Sequence, residues 1–219
     1  AVPSDQLRKN LRQVSSEISS GTTILSAAKG LELPQGMRMS QVMEDELPVH
    51  LHPGVCVLSG PNLAKEIIQG KISSTVVAGR NLDHCRAAQD ILMSNTFRVY
   101  TSDDMIGVEL GGALKNIIAL ASGIADGLQV GDNAKAALIT RGLAEITRLG
   151  VAAGAKPLTF AGLAGLGDLV ATCSSPLSRN HTVGRQLAQG RTWPDISRTM
   201  DNVAEGVNTT NAVLSMAKD

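Results

Sequence analysis

Lys115 lies in surroundings that suit proton chemistry. It falls in the apolar segment Asp104–Ala121, DMIGVELGGALKNIIALA, whose length and composition predict a helix. At helical spacing, Gly111 and Gly112 leave the face that carries the lysine nearly free of large side chains. Each helical glycine costs about 1 kcal/mol relative to alanine. We therefore expect compensation from a closely packed backbone or from a small ligand beside the ammonium group.

The sequence context leaves two interpretations of this lysine open. Burial in an apolar helix would lower the pKa of Lys115 by desolvation and make it a proton donor or acceptor near neutral pH. Alternatively, the glycines only permit close helix packing, and the lysine extends to water along its aliphatic stem.

A second candidate group follows in the segment Ala161–Asn180, AGLAGLGDLVATCSSPLSRN. Asp168 is predicted to open a helix in apolar surroundings, where a carboxylate needs a cation or hydrogen-bond donors. We expect it either to cap that helix or to pair with Lys115. The glycines before Asp168 do not form a dinucleotide-binding fingerprint. They lack its third glycine at the required spacing, and no predicted strand precedes them.

Ser178, Arg179 and Asn180 stand together at the predicted start of a further helix. Backbone N–H groups at a helix N-terminus and a guanidinium fork can bind one phosphate together, so this triplet is a candidate anion site. His181 follows and is expected at a solvated helix position. The histidines lack the cysteine and carboxylate pattern of a metal site, so no metal is expected.

Polar residues also follow two predicted strands. Lys29 comes directly after Thr22–Ala28, and Ser59–Asn62 follows Val55–Leu58. Ligands bind outside the carboxyl ends of the strands in doubly wound sheets. We therefore expect these groups to lie at one edge of the sheet, together with Lys115.

The pattern of elements changes near Tyr100. Before it, strands are predicted at Thr22–Ala28, Val55–Leu58, Thr75–Ala78 and Arg98–Thr101, and helices at Asp5–Ser19, Met37–Leu47, Asn62–Gln69 and Asn81–Met93, with Asp5 and Asn81 as N-caps. After it, only helices are predicted, at Asp103–Ala121, Asn133–Ala153, Pro157–Leu163, Pro176–Gln189 and Trp193–Met200, the first capped by Ser102. This order predicts an α/β fold with a Rossmann-type, mainly parallel sheet in residues 1–101, followed by an all-α domain in residues 102–219.

Composition narrows the functional classes. Twenty basic and twenty acidic residues cancel, and aromatic residues are only 2% of the chain, so no nucleic-acid partner is expected. Three widely spaced cysteines without a CxxC motif indicate reduced thiols in a cytoplasmic protein. The longest apolar region contains Glu109 and Lys115, which argues against a membrane span.

Motifs along the whole chain, in a fixed order, resemble those of a known family. They are AVPS at the start, KGLE at Lys29–Glu32, LSGPNLAKE at Leu58–Glu66, GVELGGALKNIIALASGIADGL at Gly107–Leu128, NAKAALITRGLAEI at Asn133–Ile146, GLAGLGDLVATCSSPLSRN at Gly162–Asn180 and VAEGV at Val203–Val207. On these motifs the chain resembles the NAD(P)-dependent glycerol-3-phosphate dehydrogenase family. The resemblance implies reversible hydride transfer between NAD or NADP and dihydroxyacetone phosphate, a small phosphorylated substrate whose product feeds glycerophospholipid synthesis. A homodimer is compatible with it.

The resemblance also implies roles for individual residues. Lys115 would exchange a proton with the C2 oxygen of the substrate, Lys29 would stabilise the same oxygen, and Asp168 would hold the lysine or a substrate hydroxyl. Besides these three, substrate contacts are implied for Gly60, Asn62, Asn116, Thr172, Ser178, Arg179 and Asn180. Cofactor contacts are implied for Lys29, Ala64, Arg179, Val203 and Glu205.

The sequence departs from the family pattern in two places. Asn62 and Leu63 stand where the family more often has Ser or Thr followed by Phe. The Gly-rich loop that opens a Rossmann half is not in this sequence, and the sequence starts at Ala1 without Met. We therefore expect a chain that lacks the first half of its Rossmann domain and is incomplete at its C-terminus, with the choice between NAD and NADP undecided. A related dehydrogenase of a 3-hydroxy acid or a ketopantoate-like substrate, and a non-catalytic helical interaction module, are the alternatives.

Overall fold

Strands form where the sequence predicts β-branched runs. The computed structural model of the protein describes residues 2–200 and 203–216, so Ala1 of the AVPS motif lies outside the described residues. The strands are β1 (Ile24–Ser26), β2 (Leu31–Glu32), β3 (Met37–Arg38), β4 (Val55–Ser59), β5 (Ser73–Gly79) and β6 (Phe97–Ser102). One sheet has the order β1–β4–β5–β6, and β2 and β3 form a separate hairpin. The predicted strands are thus confirmed, apart from small differences at their ends.

Two of the three strand pairs in the main sheet are parallel. β1 pairs with β4 and β5 pairs with β6 in parallel, whereas β4 and β5 are antiparallel, with Cys56 opposite Gly79. The mainly parallel sheet is confirmed, and the antiparallel pair is a local difference. The β4–β5 connection contains a helix of only five residues, whereas the parallel β5–β6 pair is joined by an eleven-residue crossover helix.

Helices fill the rest of the described chain. They are α1 (Leu7–Val14), α2 (Met39–Glu46), α3 (Ala64–Ile68), α4 (Leu82–Leu92), α5 (Met105–Gly127), α6 (Asp132–Ala152), α7 (Pro157–Ala161), α8 (Asp168–Ser174), α9 (Arg179–Ala188), α10 (Trp193–Arg198) and α11 (Glu205–Met216). The helical run that follows the sheet confirms the predicted fold class. The domain boundary between residues 101 and 102 stays a prediction.

Two predicted helix caps are wrong. Asp104, not Ser102, caps α5, because its side chain accepts a hydrogen bond from the Gly107 N–H group at 2.9 Å. Ser102 is still part of β6. Asp5 lies in a 3₁₀ turn before α1, and α1 has no side-chain cap. The predicted cap at Asn81 is confirmed by its contact with the first turn of α4.

Three elements, β2, β3 and α11, were not predicted from the sequence. Met37 and Arg38 pair with Leu31–Glu32 as β3 and do not open α2. The helix α11 was missed because its sequence, EGVNTTNAVLSM, mixes polar and β-branched residues that have weak helix propensity. Helix α11 packs against α5 close to Lys115, because a Cβ atom at Gly206 would lie 2.7 Å from the carbonyl oxygen of Asn116.

Helix α5 runs through the core of the helical half. Glycines bring α9 against it: a Cβ atom at Gly123 would lie 2.0 Å from the carbonyl oxygen of His181, and one at Gly184 would lie 2.0 Å from that of Leu120. Among the described residues, α5 alone is long and apolar enough to cross a membrane, but 67% of its most apolar window is buried. One such helix is weak support for a membrane span, because a core helix of a globular protein has the same properties.

Glu109 fastens α5 to β3 and α2. Its carboxylate accepts hydrogen bonds from Nη1 of Arg38 at 2.6 Å and from the backbone N–H and hydroxyl of Ser40 at 2.7 and 2.6 Å. Desolvation by burial raises the pKa of Glu109, although the Arg38 charge and the Ser40 donors act in the opposite direction. This buried network fixes the hairpin and α2 on the helix that carries Lys115.

Candidate active site

Two lysines meet at one carboxylate. Asp168 opens α8, and only 3% of its side chain is exposed. Its Oδ2 lies 2.7 Å from Nζ of Lys29, which follows β1, and its Oδ1 lies 2.8 Å from Nζ of Lys115 in α5. Two ammonium groups and one carboxylate leave a net positive charge in a buried place. Such a place can stabilise an oxygen that gains negative charge during a reaction.

Lys115 is buried and does not extend to water. The residue is 6% exposed, so the interpretation of a lysine reaching solvent is wrong. Its Nζ also donates a hydrogen bond to Oγ1 of Thr172 at 2.5 Å. Desolvation by burial, and then the neighbouring Lys29 charge, lower the pKa of Lys115 to about 8, although Asp168 acts to raise it. The expected lowering of this pKa is confirmed, and an amine with such a pKa can exchange protons near neutral pH.

The two glycines beside Lys115 have different neighbours. A Cβ atom at Gly111 would lie 2.5 Å from the carbonyl oxygen of Ala164, so this glycine permits the close backbone packing that was one of the two expectations. A Cβ atom at Gly112 would lie 2.3 Å from Oγ of Ser59 and 3.5 Å from Cγ of Lys29. Gly112 therefore leaves room for polar side chains at the lysine pair.

The end of β4 supplies further polar atoms to this place. The carbonyl oxygen of Gly60 accepts a hydrogen bond from Nζ of Lys29 at 2.7 Å. The hydroxyl of Ser59 is buried and has no hydrogen-bond partner among the described residues. A buried hydroxyl without a partner costs free energy, so it fits a further polar group such as an oxygen of a small ligand. Asn62 is placed differently, because its amide is engaged by Thr75 and the backbone of β5.

A chain of amide hydrogen bonds connects four segments that carry predicted site residues. Nδ2 of Asn116 donates to the carbonyl oxygen of Lys29 at 3.1 Å, and Nδ2 of Asn180 donates to Oδ1 of Asn116 at 2.9 Å. The backbone N–H of Gly206 then donates to Oδ1 of Asn180 at 3.0 Å. The structure thus brings Asn116 and Asn180 together beside the lysine pair, with each amide already engaged by the protein.

The start of α9 presents the predicted anion-binding triplet. The Ser178 hydroxyl caps the helix by accepting a hydrogen bond from the His181 N–H group at 3.3 Å, and Arg179 is exposed. His181 is only 7% exposed and contacts Asp126, so its expected solvated position is wrong. Helical spacing alone gave no signal for this burial, because α9 is polar on most of its surface.

The residues predicted to touch a cofactor lie partly open and partly engaged. Ala64 and Val203 are exposed, as is Arg179, so they are accessible to a large ligand. Glu205 accepts hydrogen bonds from the backbone N–H of Ser4 at 3.0 Å and from its hydroxyl at 2.5 Å. This contact, absent from the sequence analysis, ties the first turn of the chain to the start of α11. Three of these residues are thus accessible, whereas the Glu205 carboxylate is engaged by Ser4.

Within residues 2–200 and 203–216, no group of three or more His, Cys, Asp or Glu side chains is arranged to hold a metal ion. Cys56, Cys85 and Cys173 are free and buried. Burial raises the pKa of Cys56 to about 12 and that of Cys173 to about 11. These thiols are therefore poor nucleophiles, and the chemistry of the site rests with its lysines and carboxylate.

Sequence comparisons identify relatives along the whole chain. The family described as NAD-dependent glycerol-3-phosphate dehydrogenase matches with its N-terminal model at residues 1–85 and with its C-terminal model at residues 104–219. A curated glycerol-3-phosphate dehydrogenase [NAD(P)+] of Dehalococcoides mccartyi is 55% identical over 218 residues, which are 100% of this chain and 61% of that protein. One from Streptomyces coelicolor is 51% identical, and the match covers 100% of this chain and 65% of that protein. The chain thus spans about three fifths of the length of the first of these relatives.

Solved structures agree with these sequence matches. The crystal structure of glycerol-3-phosphate dehydrogenase from Coxiella burnetii has a TM-score of 0.92 and 39% identity, and the match covers 99% of this chain and 66% of that one. The structure of glycerol-3-phosphate dehydrogenase from Saccharomyces cerevisiae has a TM-score of 0.84 and 28% identity, with 100% and 65% covered. The similarity therefore extends over both the sheet and the helical half.

Proposed function

This chain belongs to the NAD-dependent glycerol-3-phosphate dehydrogenase family, and from that membership we propose that the protein reduces dihydroxyacetone phosphate reversibly to sn-glycerol 3-phosphate with NADH or NADPH. One observation carries the proposal: Lys29 and Lys115 share the buried carboxylate of Asp168. The family does not favour a 3-hydroxy acid or ketopantoate-like substrate. A non-catalytic helical module is not favoured either, because close packing alone would not require two lysines to share one buried carboxylate.

The proton transfer in this proposal belongs to Lys115. A nicotinamide cofactor would supply the hydride when bound, and the substrate oxygen at C2 would then need a proton and a nearby positive charge. Lys115 donates that proton during reduction and accepts it during oxidation. Its pKa of about 8 allows both directions near neutral pH.

Lys29 and Asp168 set the charge around that oxygen. Lys29 is held between Asp168 and the Gly60 carbonyl, so its positive charge stays beside Lys115 throughout the reaction. Asp168 keeps both ammonium groups close together, and Thr172 fixes the orientation of Lys115. In this arrangement the oxygen would meet a cationic site that needs little reorganisation.

The phosphate of the substrate is assigned to the start of α9. Ser178, Arg179 and Asn180 lie at a helix N-terminus, where backbone N–H groups and a guanidinium favour a phosphate. Asn180 reaches Asn116, the neighbour of Lys115, which supports placing the phosphate and the ketone in one cleft. Gly60 and Asn62 belong to the proposed substrate side of the cleft.

Five residues are proposed to contact the cofactor: Lys29, Ala64, Arg179, Val203 and Glu205. Both curated relatives carry NAD(P)+ in their names, and the proposal accordingly includes both cofactors. A cytoplasmic location is proposed together with the activity and is supported by the free cysteines. A homodimer stays a prediction.

A turnover assay tests the proposed function. The full-length protein is mixed with NADH or NADPH and dihydroxyacetone phosphate, and the absorbance of the reduced cofactor is followed. We expect Lys115→Ala to lower kcat by at least about a hundredfold, since a positioned acid contributes roughly that much. The matched control Lys9→Ala, at an exposed lysine of α1, should keep wild-type turnover. Wild-type turnover in Lys115→Ala would contradict the role of this lysine, and no wild-type turnover would contradict the function.

A further inference from the structure

His181 makes a buried contact that the proposed mechanism does not use. Its Nε2 lies 2.6 Å from Oδ2 of Asp126, near the end of α5, and Nζ of Lys135 in α6 lies 2.6 Å from the same oxygen. Although desolvation by burial acts to raise it, hydrogen bonds from Lys135 and His181 hold the pKa of Asp126 below its ordinary value. The carboxylate therefore stays charged, and it joins α5, α6 and α9 at one point.

The backbone of His181 is fixed as well. Its carbonyl oxygen lies where a side chain on Gly123 would stand, only 2.0 Å from an ideal Cβ position, so the two helices touch without any side chain between them. Its N–H group donates to the hydroxyl of Ser178, the first residue of the proposed phosphate-binding turn. His181 thus contacts α5 through its carbonyl and its imidazole, and it contacts the turn through its N–H group.

Helix α5 connects this contact to the proton donor. Asp126 and Lys115 lie on the same helix, separated by roughly 16 Å along its axis at a rise of 1.5 Å per residue. A well-packed helix of this length keeps that separation constant. The contacts from Ser178 through His181 to Asp126 therefore place the turn at a set distance from the Lys115 ammonium.

We propose that His181 is a positioning residue, which through Asp126 holds the Ser178–Asn180 turn at the distance from Lys115 that a phosphorylated three-carbon ketone requires. The proposal rests on the proposed function and adds to it the residue that sets the distance between the Ser178–Asn180 turn and Lys115. The turn contacts the phosphate and not the reacting carbon, so loosening it weakens substrate binding more than the chemical step. A loosened turn would mainly affect substrates that carry the phosphate.

Comparing two substrates that differ only in the phosphate group distinguishes a loss of phosphate positioning from a general loss of activity. Dihydroxyacetone phosphate and dihydroxyacetone are compared as substrates of the full-length protein and of His181→Ala. We expect KM for dihydroxyacetone phosphate to rise about tenfold with a small change in kcat, and kcat/KM for dihydroxyacetone to stay within about twofold of wild type. His181→Gln, whose amide can still donate to Asp126, should restore most of the loss. The matched control His50→Ala, at an exposed histidine outside this contact, should behave as wild type.

The outcomes distinguish this proposal from the proposed function. Equal losses with both substrates, or an unchanged KM for dihydroxyacetone phosphate, would overturn the positioning role while leaving the enzyme assignment intact. If His181→Ala does not fold, Asp126→Asn is measured in its place and should raise KM for the phosphorylated substrate selectively; a change equal for both substrates would overturn the proposal. A wild-type protein without turnover would refute the proposed function, and this inference with it.

Discussion

Replacing Asp168 by asparagine removes the only negative charge that the lysine pair contacts within the described residues, and it nearly preserves the shape of the side chain. In the wild-type protein, one carboxylate oxygen of Asp168 lies 2.8 Å from Nζ of Lys115, and the other lies 2.7 Å from Nζ of Lys29. Under the proposed function, reduction needs the Lys115 ammonium, so kcat/KM for reduction in the wild type should fall as the pH rises through about 8. Oxidation needs the neutral amine and should rise through the same pH. Without the carboxylate, the charged form of Lys115 is less favourable, so both transitions should move to lower pH.

The size of this shift follows from the distance. At an effective dielectric constant of about 20, opposite unit charges 2.8 Å apart attract by roughly 6 kcal/mol, which sets an upper bound of roughly four pKa units. The real shift is smaller, because Lys29 is partly exposed and can move away once Asp168 no longer holds it. We therefore expect the pKa of Lys115 to fall by about one to two units, which is the usual effect of one adjacent charge.

The assay is the pH dependence of kcat/KM in both directions, at constant ionic strength, for wild type, Asp168→Asn and Asp90→Asn. Asp90 is an exposed carboxylate of α4 and serves as the matched control, for which no change is expected. The unfolding transition of each variant shows whether the protein is folded over the pH range used. A midpoint that stays near 8 in Asp168→Asn, or moves upward, would refute the electrostatic argument. The same midpoint shift in Asp90→Asn would show that the effect is not local.

Two further predictions concern the phosphate and the core. Arg179→Ala should raise KM for dihydroxyacetone phosphate at least about tenfold with a smaller effect on kcat, because a guanidinium–phosphate pair contributes mainly to binding. The control in the same kinetic assay is Arg185→Ala, at an exposed arginine of the same helix. Equal effects of the two variants would argue against a specific phosphate contact. Glu109→Ala should lower the free energy of unfolding by about 3–5 kcal/mol, because Arg38 and the Ser40 donors would lose their buried acceptor. Denaturant unfolding measures this loss against exposed Glu17→Ala, and a loss below about 1 kcal/mol would contradict the assigned role of the network.

Local patterns in the sequence were sufficient for most of the elements. The strands around Val57, Val77 and Val99 were predicted because β-branched residues are concentrated there, between segments that contain glycine and polar residues. Helix α5 was predicted from its length and apolar composition, and its two adjacent glycines pointed to Lys115. These features depend on neighbours a few positions apart, so a single sequence contains them.

Contacts between distant segments were harder to predict. The Ser4–Glu205 hydrogen bonds, the burial of His181 and the antiparallel β4–β5 pair depend on which surfaces meet after the chain has packed. None of these three features produces a periodic pattern of residue types in the sequence. The cap wrongly assigned to Ser102 has a related cause, because Asp104 is held in place by Lys156 and Thr159, more than fifty positions further along.

The sequence alone determined that an apolar helix carries a lysine beside two glycines and that a carboxylate opens a later helix. Only the tertiary structure decided that Lys29, 139 positions before Asp168, shares that carboxylate with Lys115. The reason is physical: a lysine pKa depends on the charges and the solvent within a few ångströms, and those are set by packing between segments far apart in the chain. Residue types can therefore indicate a candidate proton donor, whereas its pKa and its distance from the proposed phosphate-binding turn depend on the fold.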